Sequence, residues 1–170
     1  MMTDPIQKTD DYARQLTRDL LSRAQHGVLS VSDMESDFPH LARIAVQTDS
    51  TGIPLAFLSE IAVHTQILEK QPRAGLLIGA SSQRGDAMAQ ARLSLQVTAC
   101  RLPDHGPEHT ARIDTWIAHN PKARVYACLP GFCFWHLNPH GGLLNAGFGK
   151  AFRLRPEDIM MPPEQSVREH

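Results

Sequence analysis

The alternation of apolar and polar positions divides the chain into one long helix, a series of short strands and two further helical stretches. Leu16, Leu20 and Leu21 form a helical stripe over about residues 10–25, with Thr9 or Asp10 as cap and Gly27 beyond the end. Residues 27–32 (GVLSVS) alternate as a strand, residues 33–39 make a polar hairpin connection, and residues 41–48 (LARIAVQT) are a second strand. Asp49-Ser50-Thr51-Gly52 is the next turn, and residues 53–58 are a third strand that leads directly into a short helix opening at Ser59. Residues 73–79 read as a buried, largely apolar strand, residues 80–90 as a polar, flexible segment, and residues 92–101 as another alternating strand. Pro107 and Glu108 fit the first turn of a helix reaching about His119, Asn120-Pro121 breaks it, and a short helix follows through Tyr126. Residues 132–137 (FCFWHL) form an aromatic-rich strand, residues 138–142 turn the chain, and residues 143–148 return. Residues 156–160 close the pattern as a turn of helix before a loose polar tail. Short strands joined by hairpins, with few helices and no repeat or linker, predict a single domain built on a closed or partly closed β-barrel.

At 170 residues, with 42% hydrophobic and 21% charged, the chain is long enough to bury a sizeable core. A formal charge of -1 gives no overall field for nucleic acid or an anionic membrane. No apolar run has the roughly 18 residues needed to span a bilayer, and the polar N-terminus does not read as a secretory signal, so a cytoplasmic location is expected. Cys100, Cys128 and Cys133 lack CxxC spacing and sit in apolar settings, which favours small buried hydrophobes over a disulfide framework or a reactive thiol. The nine histidines are scattered without HExxH spacing, so no metal site is expected. No Ser-His-Asp order, carboxylate pair or nucleophile elbow is present, and no catalytic side chain is assigned.

The stretch with the most chemistry is LSEIAVHTQILEKQPRAGLLIG, residues 58–79. Its helix opens on hydroxyls and an imidazole (Ser59, His64, Thr65), and a helix N-terminus with free amides suits a phosphate. The same residues equally suit an ordinary N-cap, with Ser59 satisfying the orphan amides and His64 on the surface.

Three segments in this order resemble the FMN-binding split-barrel superfamily, whose best-known member is pyridoxamine 5'-phosphate oxidase: LSEIAVHTQILEKQPRAGLLI, GDAMAQARLSLQVTA and NAGFGKAFRLRPEDI. Within it, the chain is most similar to the haem-utilisation subfamily. The resemblance spans about residues 12–160 and implies a six-stranded antiparallel split β-barrel with flanking helices. It implies a homodimer with FMN in clefts at the subunit interface, acting in small-molecule oxidoreduction. Ser59, His64 and Thr65 would contact the phosphate, Arg92 would reach it from a neighbouring strand, and Arg43, Ile44, Ala45 and Val46 would lie along the flavin ring. A phosphate dianion would raise the pKa of His64. Haem in place of flavin, or a flavin-binding protein without turnover, are the other readings the resemblance offers. Arg43 stands where the family commonly has Ser or Thr, so it either adds an anion contact or fills the cleft. Arg92 reads alternatively as a solvated strand-end residue. The run His64-Thr65-Gln66-Ile67 lacks the amide of the family's His-Thr-x-Asn. Haem-utilisation relatives usually continue into a second small domain, whereas this sequence reads as the barrel alone. Gly147-Phe148-Gly149-Lys150 is a candidate cleft wall or simply a strand-ending turn, while Trp116 and Trp135 read as packing residues.

Overall fold

The computed structural model describes residues 6–79 and 85–160. Helix α1 (Asp11–Ser22) starts where the Asp10 carboxylate accepts the Ala13 amide at 2.8 Å, and it buries Ala13, Thr17, Leu20 and Leu21 along one face. It stops three residues before its predicted end because the next strand begins at His26. The strands are β1 (Ile6–Gln7), β2 (His26–Ser32), β3 (Pro39–Thr48), β4 (Pro54–Ser59), β5 (Arg73–Gly79), β6 (Arg92–Arg101), β7 (Phe132–Asn145) and β8 (Ala151–Leu154). The remaining helices are α2 (Val63–Lys70), α3 (Pro107–His119), α4 (Arg124–Ala127) and α5 (Pro156–Ile159).

The sheet order is β1-β8-β7-β4-β3-β2-β5-β6, and an additional β6–β7 pairing closes β2 to β7 into a six-stranded antiparallel barrel. Strand β7 makes closure possible because its first half pairs with β4, its second half with β8, and nearly its whole length with β6. The barrel interior is filled by inward residues from every strand, among them Leu29, Ile44, Leu76, Leu95, Trp135 and Leu144. Burial of each such side chain contributes about 1.5–3 kcal/mol.

A second core lies outside the barrel. There α3 and α4 cover the outer face of β4 and β7, so Phe57, Phe134 and Trp116 pack together with ring centroids 4.3–5.9 Å apart. Strand β4 is therefore buried on both faces, whereas β2 alternates buried and exposed. Cys133 is a buried thiol as predicted, but Cys100 and Cys128 are exposed, and all three are free.

Two predicted features are corrected. Residues 138–142 do not turn the chain, and residues 143–148 do not return as a separate strand. The Asn-Pro-His-Gly-Gly run instead lies within β7, opposite a bulge between Gln96 and Val97 of β6. Its glycines serve close approach: a Cβ on Gly142 would lie 2.5 Å from the Ser94 carbonyl oxygen and one on Gly141 3.0 Å from that of Leu154. The returning strand is β8, after a tight turn at residues 146–150.

The second correction concerns α2, which opens at Val63 and not at Ser59. Ser59 is the last residue of β4, paired with Phe132, and the Glu60 amide continues the ladder to the Gly131 carbonyl at 2.7 Å. Within the predicted flexible segment, residues 87–89 form a 3-10 turn capped by Asp86; residues 80–84 and the tail after residue 160 lie outside the described residues. No helix among the described residues is long and apolar enough to cross a membrane.

Candidate functional site

The first turn of α2 is unusual in what it leaves open. Its cap position is Ala62, which has no side-chain acceptor, and among the described residues the amides of Val63 and His64 have no partner. Thr65 is 1% exposed, and its Oγ1 has no hydrogen-bond partner. A buried hydroxyl without a partner is costly in a folded chain, so its position next to free amides calls for an acceptor or donor from elsewhere. His64 is half-buried, and burial, with a smaller contribution from His40, holds its pKa below the ordinary value. The raised value expected beside a phosphate dianion is thus not a property of the ligand-free chain.

Strand β3 divides the four residues assigned to the flavin ring into two pairs. Ile44 and Val46 are buried in the barrel interior, while Arg43 is exposed and Ala45 packs on the outer core. Arg43 shares a cavity of about 260 Å³ with Arg92, His26, Val28 and Leu77. No carboxylate lines it, and among the described residues Arg43 has no hydrogen-bond or ionic partner; Arg92 donates to the Met88 carbonyl at 3.2 Å. Among the described residues, two guanidiniums thus share a small cavity with no carboxylate counter-ion, an arrangement whose charge suits an anion. Strand order in the sheet thus brings Arg43 and Arg92 together, and chain continuity separately places Ser59, His64 and Thr65 around the entry to α2; the two groups line different surface features.

A larger cavity of about 710 Å³ adjoins the arginine cavity, with Ala24, Gln25, Gly79 and Ala91 common to both. Its walls come from the end of α1, the end of β3 and the end of α3, including Leu16, Gln47, Thr48, Trp116 and His119. Sequence reasoning missed this cavity, and also missed His26. The available signal was Gln47, a polar side chain on the face of β3 that otherwise packs under α3.

Two other polar clusters, around Arg101 and Asp49, are satisfied internally. The Arg101 guanidinium donates to Glu60, to Glu69 at 3.0 Å and to the Cys133 sulfur at 2.9 Å. Ligand atoms of Glu60, Asp104 and Cys133 lie within 4.8 Å of one another, but Arg101 already supplies the cation there. Burial, reinforced by the Glu60 hydrogen bond, pushes the Cys133 thiol up to about 11, so it is not a nucleophile. Asp49 accepts from the Thr51 and Ile53 amides at the turn before β4 and contacts His136 at 3.0 Å. Burial alone would raise its pKa, but these hydrogen bonds prevail and bring it to about 2. Lys150, in the β7–β8 turn, lies 5.9 Å from the Tyr12 ring centroid.

No protein-family model and no curated protein matches the chain. Among solved structures, one is 46% identical over 92% of this chain and all of its own length, with a TM-score of 0.86. A heme binding protein from Mycobacterium smegmatis is 24% identical over 89% of this chain, with a TM-score of 0.77. This chain spans 61% of that protein's length. A protein related to general stress protein 26, of the pyridoxinephosphate oxidase family, from Clostridium acetobutylicum covers 89% of this chain and 99% of its own at 13% identity, with a TM-score of 0.65.

Proposed function

We propose, from a barrel fold shared with a protein of the pyridoxinephosphate oxidase family, that the chain is a member of the FMN-binding split-barrel superfamily, binds FMN as a homodimer and carries out a small-molecule oxidoreduction. The observation that carries the reading is the open first turn of α2. Two free amides and the buried, unpartnered Thr65 hydroxyl offer a phosphate three donors at the positive end of a helix dipole. These residues fit the phosphate of FMN. His64 takes up a proton to pair with the dianion, reversing the effect of its burial. Arg43 and Arg92 add positive charge on the same barrel, at a cavity facing the uncovered wall. FMN, when bound, supplies the redox chemistry, and the protein's part is to hold it and shield it from water.

The homodimer is supported by what the barrel leaves bare. Arg43, Val28 and Leu77 lie side by side on β3, β2 and β5, and Leu41 follows on β3. Leu41 is 65% exposed, Leu77 43% and Val28 37%, an apolar row that a second copy would cover. It borders the arginine cavity, so a partner seated there would cover that cavity.

A second reading, haem in place of flavin, has its own observation. His26 lies in the same cavity as Arg43 and Arg92, so an imidazole for iron and guanidiniums for propionates are in one place. Titration of the purified protein with FMN and separately with haemin, followed by visible absorbance, decides between them. Saturation by FMN at one per chain is the expected result. Saturation by haemin with a Soret shift lost in His26→Ala, and none by FMN, would replace the first reading with the second.

A further inference from the structure

The Asn-Pro-His-Gly-Gly run of β7 does more than bend the strand. Where the ladder to β6 shifts, Gln96 faces Gly141 and Val97 faces Pro139, so His140 is left as the extra residue of β7. Such an irregularity re-aims the side chain it carries, and here the exposed imidazole meets β6, with Nε2 2.6 Å from the Thr98 hydroxyl. On its other side Thr98 is paired with Arg73 of β5. A guanidinium, a hydroxyl and an imidazole thus follow one another across three strands.

These three residues line a cavity of about 450 Å³, within the range of small-molecule sites. Gly75, which also lines it, lies in the ladder between Ser30 and Gln96, and its lack of a side chain leaves a depression there. The polar groups around it have hydrogen-bonding capacity to spare. Arg73 donates only from Nε, to Gln71 at 3.5 Å, so among the described residues both its terminal nitrogens are without a partner. Among the described residues the side chains of Ser30, Ser32 and Gln96 make no hydrogen bond either, and Ser32, Arg73, Gln96 and His140 are all exposed to solvent. No carboxylate lines the cavity, and no leucine, isoleucine, methionine, phenylalanine, tyrosine or tryptophan does. Such a lining suits a ligand that is polar throughout, anionic at one end and hydroxylated at the other.

We infer that this cavity binds a small phosphate monoester carrying hydroxyl groups, a sugar phosphate by class. The phosphate accepts from Arg73 and from the Thr98–His140 pair, and the sugar hydroxyls exchange hydrogen bonds with Ser30, Ser32 and Gln96. The inference goes beyond the FMN reading and does not need it. The site shares no residue with the entry to α2 or with the arginine cavity, and it lacks the apolar wall that a flavin ring would use.

The test is a titration of the isotope-labelled full chain with glucose 6-phosphate, followed by backbone amide shifts in NMR. Glucose, which lacks the phosphate, and inorganic phosphate, which lacks the hydroxyls, are the controls. The expected result is saturable shifts centred on Gly75, Gln96 and Thr98, with each control at least five-fold weaker. Arg73→Ala should weaken glucose 6-phosphate at least ten-fold. Gly75→Val fills the depression, where a Cβ has room at 3.6 Å from that of Ser30, and should abolish binding; it serves if Arg73→Ala alters the fold. Thr65→Val should leave glucose 6-phosphate binding unchanged, which keeps this site apart from the FMN reading. Absence of saturable binding to the folded wild type overturns the inference, and a second copy covering the whole bare wall would give that result. Shifts centred elsewhere, equal affinity for either control, or undiminished binding in folded Arg73→Ala or Gly75→Val overturn it as well.

Discussion

The two walls of the barrel have the same strand architecture and opposite surroundings. Under α3 and α4, the outer face of β4 and β7 carries Phe57 and Phe134, both buried, and the polar atoms His109 Nδ1, Arg112 Nη1 and Trp116 Nε1 of α3 are buried there without a partner among the described residues. Across the barrel, β2, β5 and β6 turn Val28, Leu77, Ser94 and Gln96 to the outside, and no helix among the described residues covers them. The covered wall holds the fold together, while the bare wall carries two arginines, Arg43 and Arg92, in a cavity that no carboxylate lines. Uncompensated positive charge thus lies on the bare wall, where a ligand or second subunit can meet it.

The contrast breaks first on the covered wall. Phe134→Ala should cost about 3–5 kcal/mol, because it opens a void among Phe57, Trp116 and His109 that rigid aromatic neighbours cannot fill. Urea unfolding monitored by circular dichroism measures it, and a loss under 1 kcal/mol would mean that α3 is not packed as described.

Asp49 gives the next largest effect. Its folded pKa of about 2 lies below the unfolded value of 3.8, so its stabilisation is fully present above the unfolded value and is lost as pH falls through the folded one. Allowing for its partial exposure, Asp49→Ala should cost about 1–2 kcal/mol at pH 7. The gap to wild type should narrow as pH falls below 4 toward 2. A gap that is constant over that range would remove the turn-locking role of this carboxylate.

On the bare wall, Leu77→Ser should change chain stability by less than about 0.5 kcal/mol, as expected for an exposed position. Leu77→Arg should nevertheless convert a dimer to a monomer in sedimentation velocity at micromolar concentration. A wild type that is already monomeric would make the bare wall an ordinary surface. Thr65→Val is the smallest expected effect on stability, neutral or slightly stabilising, because it removes a buried hydroxyl that has no partner.

The fold was legible wherever local pattern and tertiary pairing agree. Strands β2 to β6 alternate or run apolar as their neighbours require, and their bounds fall within two residues of those read from sequence. The pattern fails at β7, because Asn-Pro-His-Gly-Gly is turn chemistry locally and a bulged bend tertiarily. It fails again at Ser59, whose hydroxyl reads as a cap although the β7 ladder claims its backbone. Of the site, the residue types were readable and their grouping was not. Arg43 and Arg92 converge only because β3, β2, β5 and β6 lie side by side, and the large cavity joins residues as distant as Leu16, Gln47 and Trp116. Nothing in local spacing encodes those encounters.

The central claim is that the entry to α2 is a phosphate cradle, and comparing FMN with riboflavin tests it most directly, since the two differ by the phosphate alone. Isothermal titration should give FMN an affinity at least ten-fold above riboflavin, a difference of about 1.4 kcal/mol, shrinking to three-fold or less in Thr65→Val. Equal affinities in the wild type, or a ten-fold preference untouched in Thr65→Val, would contradict it.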